Sequence, residues 1–262
     1  MSNNLISHKD NGVATITLNR PDRRNAINYH GWLELQSIFK NLESDASVRV
    51  VVLTGAGDDA FSSGADIKDF DEYRSNSKQA KGYAEAFEGA MNALEGLSKP
   101  TICLIKGFCV GGGCELSLAA DLRIAADNSR FGIPVAKLGI LIGYSEMRRL
   151  LDLVGPGNAA QILYTGRMID SSEALQMGLV NHVLPLADIH EFTDALAYEM
   201  TALAPLTQSR HKLIMRTALE NPALSGLSQE QKALPLSNFD SDDFHEGRRS
   251  FVERRKPEFT GR

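Results

Sequence analysis

An α/β fold is what this sequence predicts, on three observations. Short apolar runs rich in β-branched residues, at 50–54 and 100–105, read as buried strands. Longer stretches carry apolar residues at helical spacing, as Trp32, Leu33, Leu35, Ile38, Phe39 and Leu42 do. The two kinds alternate through residues 1–186, whereas 187–262 is helical with no further strand signal.

In chain order, 5–9 and 13–18 flank Asn11-Gly12, a strong hairpin signal. A polar loop, 19–25, carries Arg20, Arg23 and Arg24 ahead of the first helix. The strand at 50–54 ends in the turn Gly55-Ala56-Gly57, and a small-residue loop then leads to a helix expected to open at Asp66. Residues 78–97 form an amphipathic helix whose apolar face is Tyr83, Ala86, Phe87, Ala90, Met91 and Leu94. That stripe is expected to be core. Strand 100–105 runs into Cys109-Val110-Gly111-Gly112-Gly113-Cys114-Glu115, and a short helix is expected at 116–120. Strands follow at 122–126 and 129–132. Gly155-Pro156-Gly157 and Thr165-Gly166-Arg167 punctuate helices, and 171–180 reads as a capped helix closed by Gly178 that leads into a strand.

With 262 residues, 43% of them hydrophobic, the chain can bury a full core. Its net charge of −5 argues against a nucleic-acid surface. Cys103, Cys109 and Cys114 sit in or beside apolar segments and read as reduced thiols, which implies a cytoplasmic protein. No apolar stretch is long enough to span a membrane, and Met1-Ser2-Asn3-Asn4 does not begin a leader pattern. No His, Cys and carboxylate residues have metal-ligand spacing, so no metal is expected.

The chemistry gathers at two stretches of one design. Glycines between a strand and a helix let the backbone approach a ligand closely, and the first N–H groups of the helix lack intrahelical partners. The stretch 109–115 offers this, with Glu115 one turn inside. The stretch Ala60-Phe61-Ser62-Ser63-Gly64-Ala65-Asp66-Ile67-Lys68 repeats it. Two such loops could converge on one carbonyl oxygen and stabilise it as an anion. Read singly, each is equally a strand-to-helix turn with a solvated first-turn acid.

Together the two stretches resemble those of the crotonase superfamily, the enoyl-CoA hydratase/isomerase family, and the likeness runs from Leu18-Asn19-Arg20-Pro21 to Phe251-Val252-Glu253-Arg254-Arg255. The resemblance implies a spiral of repeated β-β-α units over 1–186 and a C-terminal helical region, 187–262, that builds a trimer or a dimer of trimers. It implies oxyanion donors at Ala65 and Gly112 and a catalytic acid/base at Glu115. For coenzyme A, which enters as part of a thioester substrate and not as a separate cofactor, it implies contacts from Arg23, Arg24, Ala26, Gly64, Ala65, Asp66, Ile67 and Lys68. Phe251 and Arg254 would stand near the coenzyme, across a subunit boundary in some relatives. The expected activity is hydration of an enoyl-CoA. Isomerisation, decarboxylation, thioester hydrolysis and non-catalytic acyl-CoA binding remain alternatives.

One departure bears on that activity. A second glutamate usually follows proline in a Phe-Gly-x-Pro-Glu segment, where this chain has Phe131-Gly132-Ile133-Pro134-Val135. Val135 can neither hold water nor carry a proton. Nearby, Tyr144 and Glu146 stand where many relatives have a glycine-rich loop, and both are candidates to compensate. The plainer reading has Ser145 capping a helix and Glu146 as a first-turn acid.

Overall fold

The computed structural model describes residues 4–262, so the reading of Met1, Ser2 and Asn3 as no part of a leader lies outside the described residues. Asn11 and Gly12, at φ 47° and 83°, close a hairpin between β1 (Leu5–Asp10) and β2 (Val13–Leu18). Two successive positive φ values belong to the turn that matches strand twist. After one 3-10 turn at Pro21–Arg23 comes α1 (Tyr29–Ser44), N-capped by the Asn28 side chain, which accepts from the Gly31 N–H. Then follow β3 (Val50–Gly55), β4 (Ala60–Ser62), α2 (Asp69–Tyr73), α3 (Ser77–Glu95), β5 (Thr101–Ile105), β6 (Phe108–Val110), α4 (Gly112–Leu118), β7 (Leu122–Ala126) and β8 (Arg130–Gly132). A second 3-10 turn at Val135–Lys137 precedes α5 (Tyr144–Thr165), β9 (Ile169–Asp170), α6 (Ser171–Gln176) and β10 (His182–Leu184). Four helices close the chain: α7 (Ile189–Thr201), α8 (Pro205–Glu220), α9 (Gln229–Ser237) and α10 (Asp242–Glu253).

One sheet has the order β1-β2-β3-β5-β7-β10, parallel except at the β1–β2 hairpin. The other has the order β4-β6-β8-β9, with only β9 antiparallel. In each pair β3–β4, β5–β6 and β7–β8, the first strand joins the large sheet and the second the small one, and a helix follows. This is the β-β-α spiral.

The main core lies between the sheets and helices α1 and α3, with Trp32, Phe39, Phe61 and Phe131 almost fully buried. The Trp32 indole N–H donates to the Tyr83 hydroxyl at 2.8 Å, which satisfies a donor that burial would otherwise leave unpaired. A second cluster covers the other face of the large sheet, where Val50, Val52, Ile102 and Ile124 meet Ile189 and Ala197 of α7. Helix α7 thus packs on the sheet although it belongs to the helical region begun at 187. Beyond Ala197 no hydrophobic residue is buried in the single chain, and Leu219, Leu236, Phe239 and Phe251 are all more than half exposed.

Several boundaries differ from the sequence reading. The three-residue strands β4 and β6 escape it because they sit inside the small-residue and glycine stretches read as loops. Helix α2 opens at Asp69, not Asp66, because the Asp66 carboxylate pairs with the Arg20 guanidinium and its N–H donates to Ile27 O, which holds the residue in the loop. Helix α4 begins at Gly112 itself rather than at 116, so the second and third glycines are already helical. Helix α5 starts without a side-chain cap, on Gly143 and not Ser145, and breaks at Gly155, where φ is 70°. Leu33 faces outward while its companions on α1 turn in.

Candidate active site

The loop after β4 and the start of α4 meet backbone to backbone. Ile27 and Ala65 form a parallel bridge in which the Ile27 N–H donates to Gly64 O at 2.8 Å and the Asp66 N–H to Ile27 O at 2.9 Å. In an extended chain the groups alternate in direction, so the intervening Ala65 N–H turns away from Ile27. Gly112 lies on that other side: a Cβ on Gly112 would stand 3.4 Å from the Ala65 nitrogen. Gly64 makes the approach possible. Its φ is 95°, and a Cβ there would stand 2.7 Å from Val110 O and 2.9 Å from Gly112 N. Neither the Ala65 N–H nor the Gly112 N–H, the first of α4, donates to an acceptor among the described residues. Two free N–H groups side by side can serve one oxygen that gains negative charge.

Glu115 follows within a turn, its N–H bonded to Gly111 O at 2.9 Å. Its side chain is only 5% exposed. Burial pushes its carboxyl up to about 8; the negative charge of Glu146 adds to the rise and the Arg74 guanidinium opposes it. Burial also raises the Glu146 carboxyl, and Glu88 adds to that rise, while its own N–H, Arg149 and the Gly143 N–H pull the other way.

These groups line one cleft of about 290 Å³. Its walls are the Ala65–Gly112 junction, Tyr83, Phe87 and Glu88 of α3, and the segment from Pro134 to Glu146, in which Val135, Leu138, Leu141 and Ile142 supply apolar surface. Arg74 closes one side, its guanidinium stacked 4.6 Å over Phe70 and 4.7 Å over Tyr83.

The structure therefore brings Ala65, Ile67, Gly112, Glu115 and Glu146 to one cavity. Tyr144 does not join them: it is 97% exposed and points away from the lining. The arginine loop lies beside the Gly64–Lys68 stretch, tied to it by the Ser63 N–H, which donates to Arg24 O at 2.8 Å. Arg20 is structural here, bonded to Ala26 O and Asp66. Arg23 and Lys68 are exposed, and the exposed Arg24 lies 4.9 Å over the Phe108 ring. Ala26 is buried beneath this loop. Phe251 and Arg254 lie on and just after α10, exposed, and line no part of this chain's cleft. Cys103, Cys109 and Cys114 are unpaired and buried outside it.

The sequence reading missed Arg74 and Glu88. The only signal for Glu88 was its place beside Phe87, at the edge of an apolar stripe. Among the described residues no three His, Cys, Asp or Glu side chains are grouped to hold a metal, and no helix is long and apolar enough to cross a membrane.

Residues 8–262 match the family model described as enoyl-CoA hydratase/isomerase. The chain is 34% identical over 256 residues to a short-chain-enoyl-CoA hydratase of Clostridium acetobutylicum, covering 98% of this chain and 97% of the relative. It is 33% identical over 256 residues to a crotonyl-CoA hydratase of Syntrophomonas wolfei, with coverage of 98% and 97%. Among solved structures, an enoyl-CoA hydratase/carnithine racemase from Magnetospirillum magneticum superposes with a TM-score of 0.96 at 35% identity, covering 100% of this chain and 97% of that one.

Proposed function

Because the chain belongs to the enoyl-CoA hydratase/isomerase family, we propose that it is an enoyl-CoA hydratase that stabilises a thioester enolate between two backbone N–H groups. The observation that carries this reading is the pair of unpartnered N–H groups of Ala65 and Gly112 beside the buried Glu115. A thioester carbonyl seated against both donors would be polarised. Negative charge arriving at its oxygen would be held by donors already in place, which is where preorganisation contributes most. Glu115 is the proton carrier. With its carboxyl raised to about 8 it is protonated at neutral pH and can deliver a proton to the carbon beside the carbonyl. Coenzyme A enters as part of the substrate. The exposed cations Arg23, Arg24 and Lys68, with the backbone of Gly64, Asp66 and Ile67 and the packing of Ala26, suit its nucleotide end, where phosphate would meet positive charge.

The test is a panel of enoyl-CoA thioesters incubated with the protein and read by mass spectrometry. Addition of one water to at least one member is expected. Loss of carbon dioxide or release of free CoA, with no hydration, would overturn the reading.

The same reading extends to assembly as a trimer or a dimer of trimers. The exposed apolar side chains of α8 to α10, which bury no hydrophobic residue within one chain, support it, and Phe251 and Arg254 would then approach the coenzyme across a subunit boundary. Sedimentation at micromolar concentration is expected to give a trimer or hexamer; a stable monomer would remove the shared-site role of Phe251. The three unpaired thiols support a cytoplasmic setting.

A further inference from the structure

The second carboxylate that hydration calls for is missing at Val135, and the cleft holds another one. Val135 lines the cavity as an apolar wall, and Glu146, in the first turn of α5 and only 1% exposed, lines the same cavity. Room for its carboxylate comes from Gly143: a Cβ there would stand 2.3 Å from Glu146 Oε2 and 3.2 Å from Glu88 Oε1. Glu146 is poorly explained as a structural ion pair. Its nearest cation, Arg149, is already committed, with Nη2 at 2.6 Å from Asn92 Oδ1 and 2.7 Å from Glu95 Oε2, and Nε at 3.2 Å from the same Glu95 oxygen. Arg149 Nη1 comes only to 3.5 Å from Glu146 Oε1, and neither atom has a hydrogen-bond partner among the described residues. A buried polar atom left unpaired keeps the full cost of its lost hydration, and such atoms persist where function uses them.

We propose that Glu146 is the second catalytic carboxylate of this cleft, the base that takes a proton from the attacking water, on the reading above that the chain hydrates an enoyl-CoA. The water oxygen bonds to the β-carbon as Glu146 accepts one of its protons. The electron pair of the α–β double bond moves through the thioester carbonyl to its oxygen, held by the Ala65 and Gly112 N–H groups. The carbonyl then re-forms as the α-carbon takes the proton from Glu115. Glu146 hands its proton to Glu115, so the net change is one water added and nothing is oxidised or reduced. Two buried carboxyls facing one cleft favour sharing a single proton, which suits one acid and one base. The charges facing Glu115 are Glu146 on α5, Glu88 on α3 and Arg74 before α3; those facing Glu146 are Glu115, Glu88 and Arg149.

The test compares hydration by the full chain with that of Glu146→Gln, Val135→Glu and the double variant. Glu146→Gln is expected to lose about 10²-fold in kcat with little change in KM, the scale of general base catalysis. The double variant should recover tenfold or more of that loss, because a carboxylate again faces the water. In Glu146→Gln the alkaline limb of the pH–rate profile should move to lower pH, since Glu115 no longer feels its neighbour's charge. A purely structural partner of Arg149 would shift that limb by its charge alone but would not be rescued from position 135, so the rescue separates the two roles. Full kcat in Glu146→Gln overturns the proposal alone, whereas a wild-type protein that hydrates nothing overturns the hydratase reading with it. Should Glu146→Gln fail to fold, Glu146→Asp keeps the charge beside Arg149 and withdraws it from the cleft by one methylene. A loss of tenfold or more then supports the proposal, and undiminished turnover overturns it.

Discussion

Replacing Glu115 by Gln is expected to lower hydration by about 10²-fold or more while leaving the fold and the affinity for free CoA intact, because the two side chains are nearly equal in shape. The same substitution has an effect on stability whose sign depends on pH. Glu115 ionises near 4.5 when unfolded and near 8 in the folded chain, so folding takes up a proton between those values. Stability present below pH 4.5 is lost as pH rises towards 8 and stays lost above it. Gln carries no such penalty. The variant should therefore melt with the wild type at pH 4 and progressively above it up to pH 8. The gain is at most a few kcal/mol, since each tenfold difference in proton affinity between the folded and unfolded chain is worth about 1.4 kcal/mol. Thermal melts at pH 4, 6 and 8 beside kcat measurements decide it. A variant with full kcat would place the proton carrier elsewhere, and one that gains nothing in stability by pH 8 would mean that the carboxyl is not held protonated.

Gly64→Ala should be damaging in a different way. The residue sits at φ 95°, and the added Cβ would press on Val110 O and Gly112 N, which can give way only by moving backbone. Positive φ at a non-glycine residue costs about 1–3 kcal/mol. Separating the Ala65 and Gly112 N–H groups should remove one donor from the developing oxyanion, worth about 10²–10³ in kcat. Gly57→Ala provides the comparison. Gly57 has φ 73°, and a Cβ there would meet nothing within 4 Å, so this variant should lose stability and keep its kcat. Equal kcat losses in the two variants would show that backbone strain alone, and not the placement of two donors, explains the effect.

Much of this was legible in the residues themselves. Runs of five or six buried residues at β3 and β5, and the stripes on α1 and α3, announce their elements because periodicity and β-branching are local properties. That the loops at 60–68 and 109–115 could converge was legible from their glycines, while the family resemblance singled out Ala65, Gly112 and Glu115. Other features were decided only when the chain closed on itself. Asp66 reads as a helix opener until Arg20, 46 residues away, takes its carboxylate, and α2 then starts three residues later. Tyr144 and Glu146 are both candidates in the sequence, two positions apart at the head of one helix, and the plainer first-turn reading weighs against Glu146. A helix advances about 100° per residue, so two positions turn them to nearly opposite sides, one 97% exposed and the other 1%. Glu88 and Arg74 carry no mark of function until the spiral sets α3 against α4 and α5. Strand and helix signals come from neighbours in sequence. A carboxylate's place and ionisation come from neighbours in space, and those are fixed by the packing of segments that no local pattern connects.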